Sequence, residues 1–195
     1  MTYPERSPER DAALDALAAT MPFAGWTVPA LCRAAGPDAD LLFPGGSLDM
    51  VETYCDLADR RMAAGSFEQE RLPDRVRAVL ALRFEQNREQ KDAIRRALAI
   101  LAAHPATAAR CTARTVDAIW HAAGDRSADF SWYTKRAILT GVYASTLLFW
   151  LRDDSEADEA TLAFLDRRLA GVGEIGRLRR KGDAMLQCLR ARRAA

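Results

Sequence analysis

The sequence predicts an all-α fold, and three observations carry that expectation. The chain is rich in Ala, Leu, Arg and Glu. Its Pro and Gly residues fall between periodic apolar segments. No apolar–polar alternation is sustained long enough for a strand. With 195 residues, 49% hydrophobic and 28% charged, there is enough apolar material for one core and little beyond it.

The elements follow in order. Ser7 to about Thr20 places Ala12, Leu14, Leu17 and Ala18 near helical spacing behind a Ser-Pro start. "TVPALCRAAG" begins at Thr27, a candidate N-cap, and ends at Gly36. "PDADLLF" reads as a short helix closed by "PGG". Ser47 then caps a helix running through Leu48, Val51, Cys55, Leu57 and Met62 to Gly65. Pro73 to about Arg83 opens on Pro, which suits a first helical turn. Glu85 to His104 carries Ile94, Leu98 and Leu101 at i, i+4 and i+7. Ala106 to His121 precedes an "AGD" break. Asp129 is placed to cap a helix from Phe130 that becomes uncharged from Ala137 to Leu151. Glu156 to Leu169 sets Leu162, Leu165 and Leu169 on one face, and a glycine-rich break leads to a basic tail.

Charge and cysteine usage exclude several classes. A net charge of +1 points to no partner by itself. Cys32, Cys55, Cys111 and Cys188 are far apart and form no Cys-x-x-Cys pair, so neither zinc nor a disulfide framework is expected. They read as small buried hydrophobes in a reducing compartment. "MTYPERSPERD" has no apolar region of the signal-peptide kind, and the uncharged run of 15 residues is too short for a bilayer span of about 20. The expected location is cytoplasmic, either free or peripheral on the inner face of the membrane.

The first quarter has a distinct rhythm: a long helix to Phe23, "GWTVPALCRAAG", a short helix, the "FPGG" turn and a capped helix. It resembles the helix-turn-helix of the TetR repressors, with Thr27 starting the supporting helix, Ala34 and Gly36 at the tight turn and Phe43 ending the recognition helix. The charge does not suit DNA. No Lys or Arg stands between Arg33 and Arg60, whereas Asp38, Asp40, Asp49, Glu52, Asp56 and Asp59 all do. The frame is expected to be vestigial, with no nucleic acid bound.

In the uncharged helix, Leu139, Tyr143, Leu147 and Trp150 keep near-helical spacing, either as plain core or as the wall of an apolar ligand cavity between helices. The stretch Trp120 to Thr146, reading "WHAAGDRSADFSWYTKRAILTGVYAST", carries a resemblance: it is similar to the COQ9 family of lipid-binding accessory proteins of ubiquinone biosynthesis. "GW" at Gly25–Trp26, "FPGG" at Phe43–Gly46 and "FLDRRL" at Phe164–Leu169 extend it to roughly residues 10–190. The resemblance implies a TetR-like helical bundle, a homodimer, and a protein that is no enzyme and has no cofactor of its own. It also implies binding of an isoprenoid lipid or quinone precursor, and presentation of that precursor to a di-iron hydroxylase of the COQ7 type. The matching docking positions are Ile119, Trp120, Asp129, Trp132, Tyr133 and Arg136. The lipid-contacting candidates are Leu139, Tyr143, Leu147 and Trp150. Two positions depart from the family: Ser131 stands where Asn is usual, and Leu147 where Glu is common.

The residues agree with a chain lacking chemistry of its own. A di-iron site needs Glu-x-x-His pairs, yet Leu101 precedes His104 by three and Ala118 precedes His121 by three. No nucleophile-elbow, Walker or dinucleotide glycine pattern occurs. His121 and Asp125, four apart, suit a hydrogen bond at a helix end. No catalytic or metal-binding residues are expected.

Seven basic residues against Glu174 and Asp183 leave a net +5 over residues 174–195. Ile175, Leu178, Met185, Leu186 and Leu189 fall largely on one face, so the segment reads as a basic amphipathic membrane-surface helix, with Leu178, Arg179, Arg180, Lys181, Met185, Leu186 and Leu189 as its membrane contacts. The expected organisation is a helix-turn-helix-like region over 1–65, a helical lipid-binding and dimerisation domain over 66–172, and the C-terminal amphipathic helix over 173–195. The alternative reading is a TetR-type ligand-responsive transcriptional regulator.

Overall fold

The computed structural model describes residues 3–21, 23–125 and 131–171, apart from the side chains of Ser131 and Trp132. All regular structure among them is helical. The elements are α1 (Pro8–Ala19), α2 (Val28–Ala35), α3 (Gly46–Ala63), α4 (Leu72–Gln86), α5 (Lys91–Ala102), α6 (Pro105–Ala122), α7 (Ser131–Trp150) and α8 (159–171). No helix among the described residues is long and apolar enough to cross a membrane.

Two caps form where the sequence places them. Ser7 Oγ accepts from the Arg10 amide at 3.2 Å, and Thr27 Oγ1 from the Ala30 amide at 3.3 Å. Gly36 ends α2 at φ +109°, a conformation that a residue with a side chain adopts only under strain.

Four details differ from the sequence reading. "PDADLLF" forms only a four-residue 3₁₀ turn, Ala39–Leu42. The N-cap of α3 is Gly45, whose amide donates to Asp49 Oδ2 at 3.3 Å, so Ser47 lies inside the first turn. The helix expected from Glu85 to His104 is broken. Asn87 Nδ2 takes the Arg83 carbonyl at 2.7 Å, and a 3₁₀ turn over Arg88–Gln90 separates α4 from α5. The helix expected from Glu156 opens instead as a 3₁₀ turn over Glu156–Asp158, with Ala157 (φ 52°) and Asp158 (φ 58°) left-handed.

Two apolar clusters make the interior. The first joins α1, α2 and α3 to α5 through Leu14, Leu17, Trp26, Leu31, Phe43, Met50, Tyr54, Ala93 and Leu101. The second joins α4, α6, α7 and α8 through Val79, Leu80, Phe84, Val116, Ile119, Leu139, Tyr143, Trp150 and Leu165. Ile94 and Leu98 of α5 pack against both. Trp26 ties the first cluster to α5: it is buried, its indole N–H donates to the Ala93 carbonyl at 2.9 Å, and its ring lies 4.9 Å from that of Tyr54.

The acidic residues of α3 do not form a free acidic surface. Asp49 pairs with buried Arg10 at 2.6 Å, and Glu52 with Arg114 at 2.9 Å. Asp56 pairs with Arg6 at 2.6 Å and Arg60 at 3.0 Å, and Asp59 with Arg83 at 2.7 Å. Arg10 also donates to the Leu42 carbonyl and stacks 4.4 Å over the Phe43 ring, which fixes the "FPGG" turn. Of the six acids between Arg33 and Arg60, only Asp38 and Asp40 are exposed.

Candidate functional site

The docking positions inferred from the sequence fall around the α6–α7 turn, and the structure distributes them unevenly. Ile119 is fully buried in the second cluster and offers no surface. Trp120, one residue on, is half-buried. Its ring lies 6.0 Å from Lys135 Nζ, and Lys135 pairs with Asp125 at 3.4 Å. Arg136 is held by Asp117, with Nε 3.0 Å from Oδ1. Tyr133 is 74% exposed. Asp129 lies outside the described residues; Trp132 belongs to α7, but its side chain also lies outside them. The carboxylate that pairs with Lys135 is Asp125, which sequence reasoning matched only with His121.

The four lipid candidates are all on α7. Leu139 and Trp150 are buried, Tyr143 nearly so, and Leu147 partly. Tyr143, Leu147 and Trp150 line a central cavity with Phe84, Leu98, Leu101 and Arg83, while Leu139 packs elsewhere in the same cluster. Phe84 stands 5.5 Å from the Trp150 ring and 6.4 Å from that of Tyr143. The cavity measures about 80 Å³. Pockets for organic ligands run to roughly 300 Å³ and more, so this space holds no isoprenoid tail unless the helices part.

A larger concavity lies outside it. An open groove of about 1170 Å³ runs between α5, α7 and α8, with Leu98, Leu148, Phe149 and Phe164 among its apolar residues, Arg95, Arg152 and Arg168 as its cations and Asp153 and Asp154 as its carboxylates. Phe149 and Phe164 stack at 4.6 Å and 10°. Leu148 is 61% exposed. Sequence reasoning missed this groove. Its one signal was the unbroken apolar run Leu147–Leu151, too wide for a single buried face.

Charge in the interior is tightly managed. Burial pushes the Asp59 carboxyl up, against the opposing pull of Arg83 and the Thr115 hydroxyl. Burial likewise pushes the Tyr54 phenol up and out of reach of ordinary titration. At the α7–α8 turn, burial alone raises Asp158, but hydrogen bonds from Arg88 and Lys91 outweigh it and hold the carboxyl low. No three His, Cys, Asp or Glu among the described residues gather to hold a metal ion. The membrane candidates Leu178, Arg179, Arg180, Lys181, Met185, Leu186 and Leu189 lie outside the described residues.

This arrangement defines the class first: an all-helical bundle of the TetR type. The solved TetR transcriptional regulator of Nitrosomonas europaea superposes with a TM-score of 0.67 at 23% identity, over 84% of this chain and 97% of that one. Within that class, the chain belongs to the COQ9 family, whose model matches residues 105–176. COQ9 of Rattus norvegicus is 42% identical over 78 residues, 38% of this chain and 25% of that protein. Coq9 of Schizosaccharomyces pombe is 31% identical over 146 residues, 71% of this chain and 57% of that protein. Both are named as mitochondrial ubiquinone biosynthesis proteins. The chain thus spans about a quarter of the length of the vertebrate relatives it matches.

Proposed function

We propose that the chain is a non-catalytic accessory factor of ubiquinone biosynthesis. It binds an isoprenoid quinone precursor and presents it to a hydroxylase of the COQ7 type at a membrane surface. The observation that supports this most directly is the position of the family match. Residues 105–176 cover α6, the turn after it, α7 and α8, which include the exposed Tyr133 and two walls of the Phe149–Phe164 groove. The names of the matched relatives supply the pathway.

The size of the groove favours it over the central cavity as the site of a long apolar tail. Its cations are suited to an oxygen-bearing ring or a lipid head group. On this reading the protein works as a homodimer, peripheral on the inner face of the membrane, with residues 174–195 as its surface anchor.

The test is mass spectrometry of lipids that co-purify with the intact chain. Enrichment of a polyprenylated quinone or precursor over bulk phospholipid is the expected result. Bulk phospholipid alone would refute lipid selection.

A second reading, a ligand-responsive transcriptional regulator, rests on the likeness to the Nitrosomonas protein. The four-residue turn at Ala39–Leu42, flanked by exposed Asp38 and Asp40, speaks against it. Sequence-specific shift of DNA at moderate salt would establish it.

A further inference from the structure

The wall shared by α3 and α6 holds a pair of thiols that the proposed function does not use. The two helices keep one parallel register. Glu52 of α3 meets Arg110 of α6 at 3.6 Å, and seven residues on Asp59 accepts from the Thr115 hydroxyl at 2.9 and 3.0 Å. Cys55 precedes Asp59 by four residues, and Cys111 precedes Thr115 by four. One turn back on each helix therefore sets the two thiols opposite one another. Both line the central cavity.

Their surroundings make them unlike. Arg114 Nη2 donates to Cys111 Sγ at 3.4 Å. Donation from the Cys55 S–H, helped by Arg114, holds the Cys111 thiol below its ordinary value. The same hydrogen bond, with burial, pushes Cys55 up. Arg114 thus favours the thiolate at Cys111, the sulfur it touches. The cavity, at about 80 Å³, has the liquid volume of roughly two or three waters. That volume suits an oxidant the size of hydrogen peroxide and is too small for a lipid hydroperoxide.

We propose that Cys111 and Cys55 form a reactive dithiol that hydrogen peroxide converts to a disulfide between α3 and α6. The Cys111 thiolate attacks one peroxide oxygen; the O–O bond breaks, and hydroxide leaves to be protonated to water. The resulting sulfenic acid is attacked by Cys55 sulfur, which loses its proton as the second water departs. Two thiols supply two electrons, and one peroxide becomes two waters. The two sulfurs close to the about 2.05 Å of an S–S bond, and the cross-link clamps α3 to α6 beside the Asp59–Arg83 pair.

The test uses the full chain carrying Cys32→Ser and Cys188→Ser, treated folded with hydrogen peroxide and analysed by mass spectrometry without reduction. The expected product is a monomer lighter by two hydrogens. Trypsin should release Cys111–Arg114 linked to the peptide spanning residues 34–60. Adding Cys55→Ser should replace the disulfide by a trappable sulfenic acid at Cys111. Oxygen adducts at both cysteines, disulfide-linked dimers, or untouched thiols while a free-thiol control is consumed would overturn the proposal. Arg114→Gln should move the rate of disulfide formation to higher pH, and Arg114→Lys should restore it. A pH profile identical in all three would overturn the part assigned to Arg114.

Discussion

Arg83 of α4 and Asp59 of α3 form an ion pair at 2.7 Å inside the bundle, each side chain less than a tenth exposed. Thr115 of α6 adds its hydroxyl to the same carboxylate, so one contact joins three helices. Removing one partner strands a buried charge, at a cost of about 3–5 kcal/mol. Arg83→Met should therefore lower the midpoint of chemical denaturation sharply. The double variant Arg83→Met, Asp59→Leu should recover most of it. A double variant no better than the single one would show that shape, not charge, governs the site.

Asp153 caps α8. Its carboxylate accepts from the Ser155 amide at 2.9 Å and from the Thr161 amide at 2.8 Å and hydroxyl at 2.5 Å. Burial opposes ionisation there, but these bonds hold the carboxyl down at about 2. A depressed carboxylate contributes stability above its unfolded value of about 3.9, and that contribution fades as pH falls towards the folded value. It amounts to about 2 kcal/mol, so Asp153→Asn should lose about that much at neutral pH. The gap between the proteins should narrow between about pH 4 and pH 2, which acid titration of the unfolding midpoint would follow.

Tyr133 is exposed, so Tyr133→Ala should change stability by no more than about 0.5 kcal/mol. If the α6–α7 turn docks the hydroxylase, the same change should weaken binding at least tenfold, about 1.4 kcal/mol, by calorimetry or surface plasmon resonance. Equal affinity would remove Tyr133 from the interface.

Leu148 and Leu147 are neighbours that face different spaces. Leu148 lines the open groove and Leu147 the central cavity. Leu148→Glu should deplete co-purifying isoprenoid lipid while leaving thermal unfolding nearly unchanged. Leu147→Ala should do the reverse, destabilising by about 2 kcal/mol or more with lipid content kept. Lipid lost from the Leu147 variant alone would move the binding site inside.

The fold was legible where sequence and local physics agree. The Ser-Pro start at Ser7, the cap at Thr27, the glycine at 36 and the apolar spacing of α7 are all local signals. The break at Asn87 was not, because Glu85 to His104 reads as continuous periodicity; the interruption depends on one side chain taking the Arg83 carbonyl. Nor did the acids of α3 disclose their partners. Arg83 lies 24 residues from Asp59 and Arg114 lies 62 from Glu52, and nothing in spacing joins them. At the candidate site, the exposure of Tyr133 fits an aromatic in a basic opening turn. The burial of Ile119 follows from its place on the inner stripe of α6, which a motif match does not resolve.

The indole of Trp26 and the carboxylates of α3 reach their partners only on later parts of the chain. A fragment ending at residue 65 would leave Trp26 without the Ala93 carbonyl, Glu52 without Arg114 and Asp59 without Arg83. The region that looks like a DNA reader is therefore not a detachable module. It is the foundation on which α4 to α8 stand, and that gives a reason for the frame to persist without the charges that reading DNA demands.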